Sequence, residues 1–448
     1  MEETREEKIK RIMEQTRRLL QENFPRKGST IDQIEESAEK IGEQIKCEIE
    51  ESATAQEGRG YVGRFAICGC GCAARYVRVY GKEWQTTHGL LVIPRAYYYC
   101  RECREGFSPL DCTLGLDSGS TSLRVRDKIA RLAAMTPFGR GAVELEALCG
   151  IGVSAKTFER VAELVGKRIG EEVAAFERHV LSGHADLPDV APERLYVTVD
   201  GATVPIDDGW RECKVGAVYE TSPGKDGEPV AHNIEHAGTM GNCEAIGDRI
   251  YALAFSRGVE RAGEVVVLGD GAPWIWNQAQ ANFPECTQIL DFYHATEHLA
   301  EVARARYGVD SPRAAKWLIQ RKGDLLEGRF DRAIRSIRAW KPEEEEDLKV
   351  RSNNLAYLIR NKERMRYHEF RARGLHIGSG IAESSCKTLV QARLKQSGMH
   401  WSVAGADSIL QLRRLWTDVP DVDFAQYASM AASNHKIGAH PRAAVSHV

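Results

Sequence analysis

The 448-residue sequence lacks a long apolar run, a strong excess of either charge, and a dense cysteine framework. Because a membrane-spanning helix needs about 20 apolar residues in succession, we expect none here. The first eight residues, Met1-Glu-Glu-Thr-Arg-Glu-Glu-Lys8, are too charged for a signal peptide, so a cytoplasmic protein is expected. A formal net charge of −3 argues against a uniformly basic nucleic-acid binder.

The composition is that of a globular protein with several domains. Hydrophobic residues make up 43% and charged residues 28% of the chain, and 448 residues exceed the usual size of a single domain. We therefore expect two to four domains.

Twelve cysteines in a cytoplasmic chain do not predict a disulfide framework, and seven of them are scattered singly. The other five form two groups on either side of strand-like sequence, which is the layout of a zinc ribbon. Cys100 and Cys103 make one pair of ligands. The second pair comes from Cys68, Cys70 and Cys72; the wider spacing favours Cys68 with Cys72, and Cys70 stays open. The alternative is a set of free thiols in a glycine-rich loop.

Two stretches ahead of the central part of the chain have helical periodicity. Residues 6–55 predict two helices separated by Gly28-Ser29-Thr30, which pack on the body or pair with another subunit. Residues 144–165 have a helix-turn-helix pattern, with Gly150 ending one helix and Ser154 capping the next. Lys156, Thr157 and Arg160 then lie on the outer face, where a recognition helix contacts DNA. The alternative is an ordinary helical hairpin.

From about residue 194 to 299, strand and helix signals alternate, which predicts an α/β sheet layer. The strands are predicted at 195–199, 214–219, 265–268 and 287–290. Asp200 and Asp270 directly follow two of these β-branched runs, and Glu383 lies in Gly378-Ser-Gly-Ile-Ala-Glu-Ser-Ser385. Carboxylates that converge at the rim of a core hold pairs of hard divalent cations, although a single Asp-Gly commonly just ends a strand.

The neighbourhood of Glu383 is basic. Residues 351–400 contain ten lysines and arginines against three glutamates, a net charge of +7. Lys387, Arg393 and Lys395 are predicted to contact phosphates, unless this stretch is only a solvated helical face. Trp401 is a candidate for stacking on an unpaired base, with a core position as the alternative.

These residues resemble a known enzyme family. An Asp on one strand, an Asp on a later strand, a helical insertion and then a Glu resemble the RNase H-like core of DDE transposases. Asp291-Phe-Tyr-His294 looks like the Asp/Cys-x-x-His signature of the Mutator-like superfamily. The flanking sequence is closer to the ISKra group of bacterial insertion-sequence transposases, through motifs that occur in the same order: Tyr98–Cys103, Pro109–Asp111, Asp270–Ile275, Asp291–His298, Ile377–Ser385 and Gly398–Ser402.

The resemblance implies that Asp200, Asp270 and Glu383 hold two Mg²⁺ or Mn²⁺ ions, with Asp291 and His294 as accessory groups near the scissile phosphate. His294 would donate to a phosphate oxygen or orient the nucleophile, although one histidine on a helix is more often a packing residue. The implied fold class is multidomain α/β with α-helical parts. The predicted domains are N-terminal helices (1–57), a zinc ribbon (58–115), a helix-turn-helix region (116–185), the first part of an RNase H-like mixed-sheet core (186–299), a helical insertion (300–374), the rest of the core with Glu383 (375–418) and a flexible tail (419–448).

The implied function is a DNA transposase of the bacterial cytoplasm, associated with the nucleoid when bound to DNA. It would bind terminal inverted repeats as a homo-oligomer, cleave the ends and join their 3′-hydroxyls to target DNA. Two other functions stay open: an RNase H-like nuclease without strand transfer, and a non-catalytic DNA-binding regulator derived from a transposase.

Overall fold

The structure is a computed structural model, and it describes residues 4–117, 119–225, 228–378 and 380–429. The chain divides into two compact units, with the division inside one long helix. One unit contains the chain up to Val165 and a segment that starts at Asp423; the other runs from Gly166 to Val422. The sequence predicted a boundary at residue 185. No boundary was expected at residue 165, because the long helix continues there without a break.

The first unit combines helices with a small antiparallel sheet of order β1-β2-β3-β4. Thr30 caps the second helix, as predicted, by accepting a hydrogen bond from the Gln33 amide. In chain order the elements are α1 (Arg5–Asn23), α2 (Ile31–Gln56), β1 (Phe65–Ile67), β2 (Ala73–Gln85), β3 (Leu90–Tyr99), β4 (Gly106–Phe107), α3 (Pro109–Thr113), α4 (Leu123–Met135), α5 (Phe138–Cys149) and α6 (Ala155–Leu181).

The second unit is built on a mixed five-stranded sheet of order β7-β6-β5-β8-β9. Its strands and the helices among them are β5 (Arg194–Ile206), β6 (Gly209–Pro223), β7 (Pro229–Thr239), α7 (Cys243–Ser256), β8 (Glu264–Gly269), α8 (Pro273–Asn282) and β9 (Thr287–Leu290). The predicted strands are thus confirmed. Strand β7 was not predicted, because this edge strand is only half-buried over most of its length and has few β-branched residues.

A helical block follows β9, and the chain then returns to the sheet. These elements are α9 (Phe292–Tyr307), α10 (Pro312–Leu326), α11 (Phe330–Arg338), α12 (Glu345–Arg360), α13 (Tyr367–Ala372), α14 (Gly380–Ser385), a π-helical segment (Cys386–Gln391), α15 (Ala392–Leu394) and α16 (Val403–Asp418). Helix α14 packs on β5 and β6, and α16 packs on β7. The core of this unit is continuous from the sheet into the helical block.

The direction of the strands decides where functional groups can lie. Strand β5 pairs in parallel with β8, and β8 pairs in parallel with β9, whereas β6 is antiparallel to both of its neighbours. Residues 195–199 of β5 and 266–269 of β8 are buried, which is why these stretches read as apolar runs rather than as alternating sequence.

Two further predictions concerned membrane-spanning helices and the C-terminal tail. None of the described helices is both long enough and apolar enough to cross a membrane. The flexible tail predicted from residue 419 is wrong for its first part: Phe424 is fully buried, and its backbone amide donates to Asp127 at 3.0 Å. Ordering follows from burial of Val422, Phe424 and Tyr427. The rest of the predicted tail, residues 430–448, lies outside the described residues.

Candidate functional site

Three aspartates lie where two of three neighbouring parallel strands end: Asp200 is inside β5, whereas Asp270 and Asp291 come one residue after β8 and β9 end. Thr198 of β5 is paired with Leu268 of β8, so Asp200 stands level with Asp270 two residues further along each strand. Gly269 of β8 is paired with Leu290 of β9, so Asp270 stands level with Asp291. The Asp291 amide also donates to the Gly269 carbonyl at 2.8 Å. Neighbouring strands are about 4.8 Å apart, so three carboxylates line one end of the sheet.

The position of Asp200 corrects one detail of the sequence interpretation. Asp200 does not end its strand, because β5 continues to Ile206 in a hairpin with β6. What ends at this level is the parallel neighbour β8, whose pairing with β5 stops at Thr198; further along, Ile206 of β5 forms a parallel bridge with Trp401. Asp200 is therefore half-buried at an opening in the sheet rather than in a turn.

Asp270 is held in a tight turn and is surrounded by negative charge. Its Oδ1 accepts a hydrogen bond of 2.8 Å from the Ala272 amide, and its carbonyl oxygen accepts one from the Tyr357 hydroxyl. Burial raises the pKa of Asp270, and the neighbouring Asp200 and Asp291 raise it further. Ionisation of such a carboxyl group costs free energy unless a cation lies beside it, so the group is a suitable cation ligand.

At the start of α9, the buried Asp291 forms an ionic pair with the partly exposed His294. Asp291 is 2% exposed and caps the helix by accepting hydrogen bonds from the amides of Tyr293 and His294. The Nδ1 atom of His294 lies 3.6 Å from Asp291 Oδ2. This interaction raises the pKa of His294 to about 9, against the opposing effect of burial. His294 therefore carries a proton at neutral pH and acts as a cation and donor.

Glu383 lies on α14, and the segment that follows this helix contacts the row of aspartates through Cys386. Cys386 lies three residues after Glu383, and its Sγ is 3.3 Å from Asp200 Oδ2. The Glu383 carboxylate itself is paired with Lys387 at 2.6 Å, and its side chain is 67% exposed. Within the described part of the chain, Asp200, Asp270 and Glu383 do not bring their oxygens within 4.8 Å of one another.

The predicted phosphate contacts after Glu383 divide into exposed and buried residues. Lys387 and Lys395 are exposed. Arg393 is fully buried, with its guanidinium 5.1 Å from the centre of the Trp401 ring, and burial lowers its pKa to about 10. The prediction that Arg393 contacts DNA is therefore wrong for this structure. Trp401 is buried and donates from its indole nitrogen to the Leu394 carbonyl at 3.0 Å, so the core alternative holds and base stacking does not.

Helices α5 and α6 are joined by a short turn with the predicted features. Gly150 ends α5 with a positive φ of 65°, and Ser154 Oγ accepts a hydrogen bond of 3.1 Å from the Thr157 amide. Lys156 and Arg160 are exposed, whereas Thr157 is half-buried. Lys156 pairs with Glu159 at 3.1 Å. DNA contact by this helix stays a prediction.

Four cysteines in the first unit converge on one point. The sulfurs of Cys68, Cys70, Cys100 and Cys103 all lie within 4.8 Å of one another. The Cys68–Cys103 and Cys70–Cys100 sulfur distances are 3.5 and 3.7 Å. A tetrahedral zinc with Zn–S bonds of about 2.3 Å holds its sulfurs roughly 3.8 Å apart, so this set of four soft ligands could hold a metal such as zinc.

The identity of the fourth ligand corrects the sequence prediction, which favoured Cys72. Cys72 instead closes the hairpin, with its carbonyl accepting a hydrogen bond of 2.8 Å from the Cys68 amide. Gly71, at a φ of 85°, folds the chain back tightly, and Cys70 at the tip reaches the other sulfurs. A backbone hydrogen bond at Cys72, followed by contacts with the thiols of Cys68 and Cys100, lowers the pKa of Cys70 to about 7, which favours the thiolate that binds metal.

Two residues of the site carry no sequence signal. Tyr357 of α12 lies 87 positions from Asp270, and Cys386 lies 186 positions from Asp200. The Tyr357 ring also stacks on His298, with ring centres 3.6 Å apart, and His298 Nδ1 is 2.6 Å from Asn354 Oδ1. Asn354 and Tyr357 are three residues apart, so the sequence could have suggested that they share one face of α12. It could not have suggested that this face contacts the turn at Asp270.

The comparisons with known proteins identify distant relatives without an assigned activity. No protein-family model matches the chain. It is 22% identical over 321 residues to a UPF0236 protein from the vanSb 3′ region of Streptococcus gallolyticus, covering 70% of this chain and 67% of that protein. It is 24% identical over 251 residues to a UPF0236 protein of Caldanaerobacter subterraneus, covering 54% of this chain and 52% of that protein. The chain thus spans about half of the second relative.

Proposed function

We propose that this protein is a DDE-type DNA transposase that binds transposon ends, cleaves DNA by two-metal phosphodiester hydrolysis and joins 3′-hydroxyl ends to target DNA. The observation that carries the proposal is the row Asp200–Asp270–Asp291 across three parallel strands, with the helix of Glu383 packed beside it. Ligands of α/β sheets bind beyond the carboxyl ends of parallel strands, where this row lies.

The topology supports an RNase H-like core as part of this proposal. The sheet has two antiparallel strands on one side of β5 and two parallel strands on the other. The helical block from α10 to α13 separates the second aspartate from Glu383, at the place of the proposed insertion. The resemblance to the ISKra group rests on motifs that contribute Asp270, Asp291 and Glu383.

The donor atoms fit two hard cations. Asp200, Asp270 and Glu383 would hold Mg²⁺ or Mn²⁺ through carboxylate oxygens, which such ions prefer. When bound, these ions supply activation of a water or 3′-hydroxyl and stabilisation of the leaving oxygen. The raised pKa of Asp270 supports the fit, because burial and two neighbouring carboxylates outweigh the opposing effects of the Ala272 amide and His294.

The surrounding residues position a phosphate. His294, protonated at neutral pH, donates to a non-bridging phosphate oxygen and does not serve as the general base. Asp291 keeps the imidazolium in place and stays engaged as the cap of α9. Lys387 neutralises Glu383 in the absence of cations; once Glu383 turns to the ions, the exposed ammonium one helical turn away is available to the DNA backbone.

The first unit supports recognition of particular DNA ends rather than indiscriminate cleavage. The four-cysteine group stabilises a small sheet that a zinc ion would hold together, and Lys156 and Arg160 extend from an exposed helix face. A nuclease without strand transfer needs no such modules. Assembly as a homo-oligomer on paired ends is part of the proposal.

A strand-transfer assay tests the proposal. Labelled DNA fragments from the two genomic flanks of the gene are incubated with the protein, a target plasmid and Mn²⁺. We expect labelled joint products with the wild type and with Asp208→Asn, a control on an exposed turn. Asp200→Asn and Asp270→Asn should lower the rate of product formation at least about a hundredfold, as expected when an essential metal ligand is removed. Nicked DNA without joining would identify a nuclease, and binding without cleavage a regulator.

A further inference from the structure

Three arginine–tyrosine pairs follow one another on one face of the ribbon sheet. Across the β2–β3 ladder, Arg75 is paired with Tyr99, Arg78 with Tyr97, and Tyr80 with Arg95. Opposed residues of an antiparallel pair point to the same face, and alternate residues of β3 share that face. A shift of register between Tyr76 and Arg78 places Arg75 on the same face of β2 as Arg78 and Tyr80. We call these six residues the Arg–Tyr ladder.

The Arg–Tyr ladder is the uncovered half of its face. Further along the same strands, Trp84, Leu91 and Ile93 pack on Leu110 near α3. The boundary is Arg95, whose guanidinium is paired with Asp111 of α3. Beyond it, Tyr80 within β2 and Tyr99 at the end of β3 are 37% and 38% exposed.

Two of the three cations of the Arg–Tyr ladder are available for a ligand. Arg75 and Arg78 are exposed, and neither has a carboxylate within 4.0 Å among the residues that the structure describes. The Arg78 guanidinium lies over the Tyr80 ring, 4.1 Å from its centre, and Tyr80 meets Tyr97 edge to face at 5.2 Å. The rings are thus held in place before any ligand arrives, so little side-chain entropy remains to be lost.

The charge of this segment is opposite to that of the whole chain. Residues 59–107 contain eight lysines and arginines and three glutamates, a net charge of +5, whereas the chain carries −3. A polyanion is the complementary partner for such a surface. The exposed aromatic rings narrow the choice further, because rings stack on bases only where the bases are unpaired.

We propose that the Arg–Tyr ladder binds single-stranded DNA, with Arg75 and Arg78 on the phosphates and Tyr80 and Tyr99 stacked on bases. Successive pairs are about 7 Å apart along the strands, so each row can serve one nucleotide of an extended strand. The proposal deepens the proposed function, on which it rests for the choice of DNA as partner: cleavage of a transposon end exposes unpaired nucleotides, and the ladder would hold them.

Fluorescence anisotropy tests this without catalysis. The full chain, loaded with zinc, is titrated in buffer without Mg²⁺ or Mn²⁺ against a fluorescein-labelled single-stranded 12-mer and the matching duplex. The double variant Arg75→Ala/Arg78→Ala should lower the slope of log affinity against log salt by about 1.4, or roughly 0.7 for each phosphate contact. Tyr80→Leu and Tyr99→Leu should each weaken single-strand binding about tenfold, whereas Tyr80→Phe and Tyr99→Phe should not. Retained zinc shows that each variant is folded at the ribbon.

The matched control is Arg26→Ala/Lys27→Ala, which removes the same charge from the exposed turn between α1 and α2. The proposal is overturned if the wild type does not bind the single strand, if the Arg–Tyr ladder variants bind as the wild type does, if the tyrosine variants weaken duplex binding equally, or if a matching oligoribonucleotide binds more tightly than the DNA. Asp270→Asn should bind the 12-mer normally. Loss of strand transfer in that variant, with the ladder intact, reports on the catalytic proposal alone.

Discussion

The thiol of Cys386 lies 3.3 Å from Asp200 Oδ2, and this contact joins the segment that contains Glu383 to the central strand of the sheet. Burial raises the pKa of Cys386, so the group is a neutral thiol that donates to the carboxylate. A donor behind a metal-binding carboxylate fixes its orientation, and removing such a partner typically lowers metal affinity about 10-fold or more.

We therefore predict that Cys386→Ala lowers the affinity for Mn²⁺ about tenfold, measured by calorimetric titration, whereas Cys386→Ser, which keeps a donor, stays closer to the wild type. Cys149→Ala, at a half-buried cysteine of α5, is the control. Equal Mn²⁺ affinity in Cys386→Ala and the wild type would show that the thiol does not position Asp200.

The Tyr357 hydroxyl should hold the Asp270 turn in place. Tyr357→Phe removes the donor to the Asp270 carbonyl, and we expect the free energy of unfolding to fall by about 1 kcal/mol in denaturant titrations. Gly271→Ala should cost more, because Gly271 has a φ of 94° and a Cβ there would overlap the Tyr357 hydroxyl. Tyr307→Phe, on a half-buried ring in α9, is the control. An unchanged Tyr357→Phe protein would mean that other contacts hold the turn.

The ionic pair of His294 and Asp291 predicts a pH-dependent stability in metal-free protein. The pKa of His294 is about 9 in the folded state, above the ordinary value of 6.5, so protonation stabilises the fold. That contribution is complete below pH 6.5 and is lost as the pH rises through 9. The difference in the free energy of unfolding between wild type and His294→Gln should thus be present at pH 6 and vanish near pH 10. His184→Gln, at an exposed site, is the control. A difference for His294 that does not change over this range contradicts the pairing.

Substitutions of the neighbouring cysteines Cys70 and Cys72 should have different effects on zinc binding. Cys70→Ser should abolish or greatly weaken zinc binding, because Cys70 is one of the four converging sulfurs. Cys72→Ser should keep close to one zinc per chain, because the Cys72 sulfur is not among the four that converge. Elemental analysis of purified protein measures both. The opposite result, with zinc lost only in Cys72→Ser, would restore the ligand set that the spacing favoured.

Much of the candidate site could be predicted locally. Asp200 and Asp270 each follow a β-branched run that forms a strand, and strand signals of this kind depend on neighbouring residues only. Asp291 was predicted only through the resemblance to a known family. The buried state of Arg393 could not be predicted, because a basic side chain after a short helix and a π-helical segment has no regular periodicity from which to infer its face.

The sequence by itself determined which stretches become strands, where helices are capped, and that two cysteine groups flank a pair of strands, because propensity, capping and spacing act over a few residues. Only the tertiary structure decided that Asp200, Asp270 and Asp291 stand level, that Tyr357 and Cys386 support two of them, and that Cys70 rather than Cys72 joins the other sulfurs. Parallel register and long-range packing depend on residues many positions apart, and no local pattern encodes which of them meet.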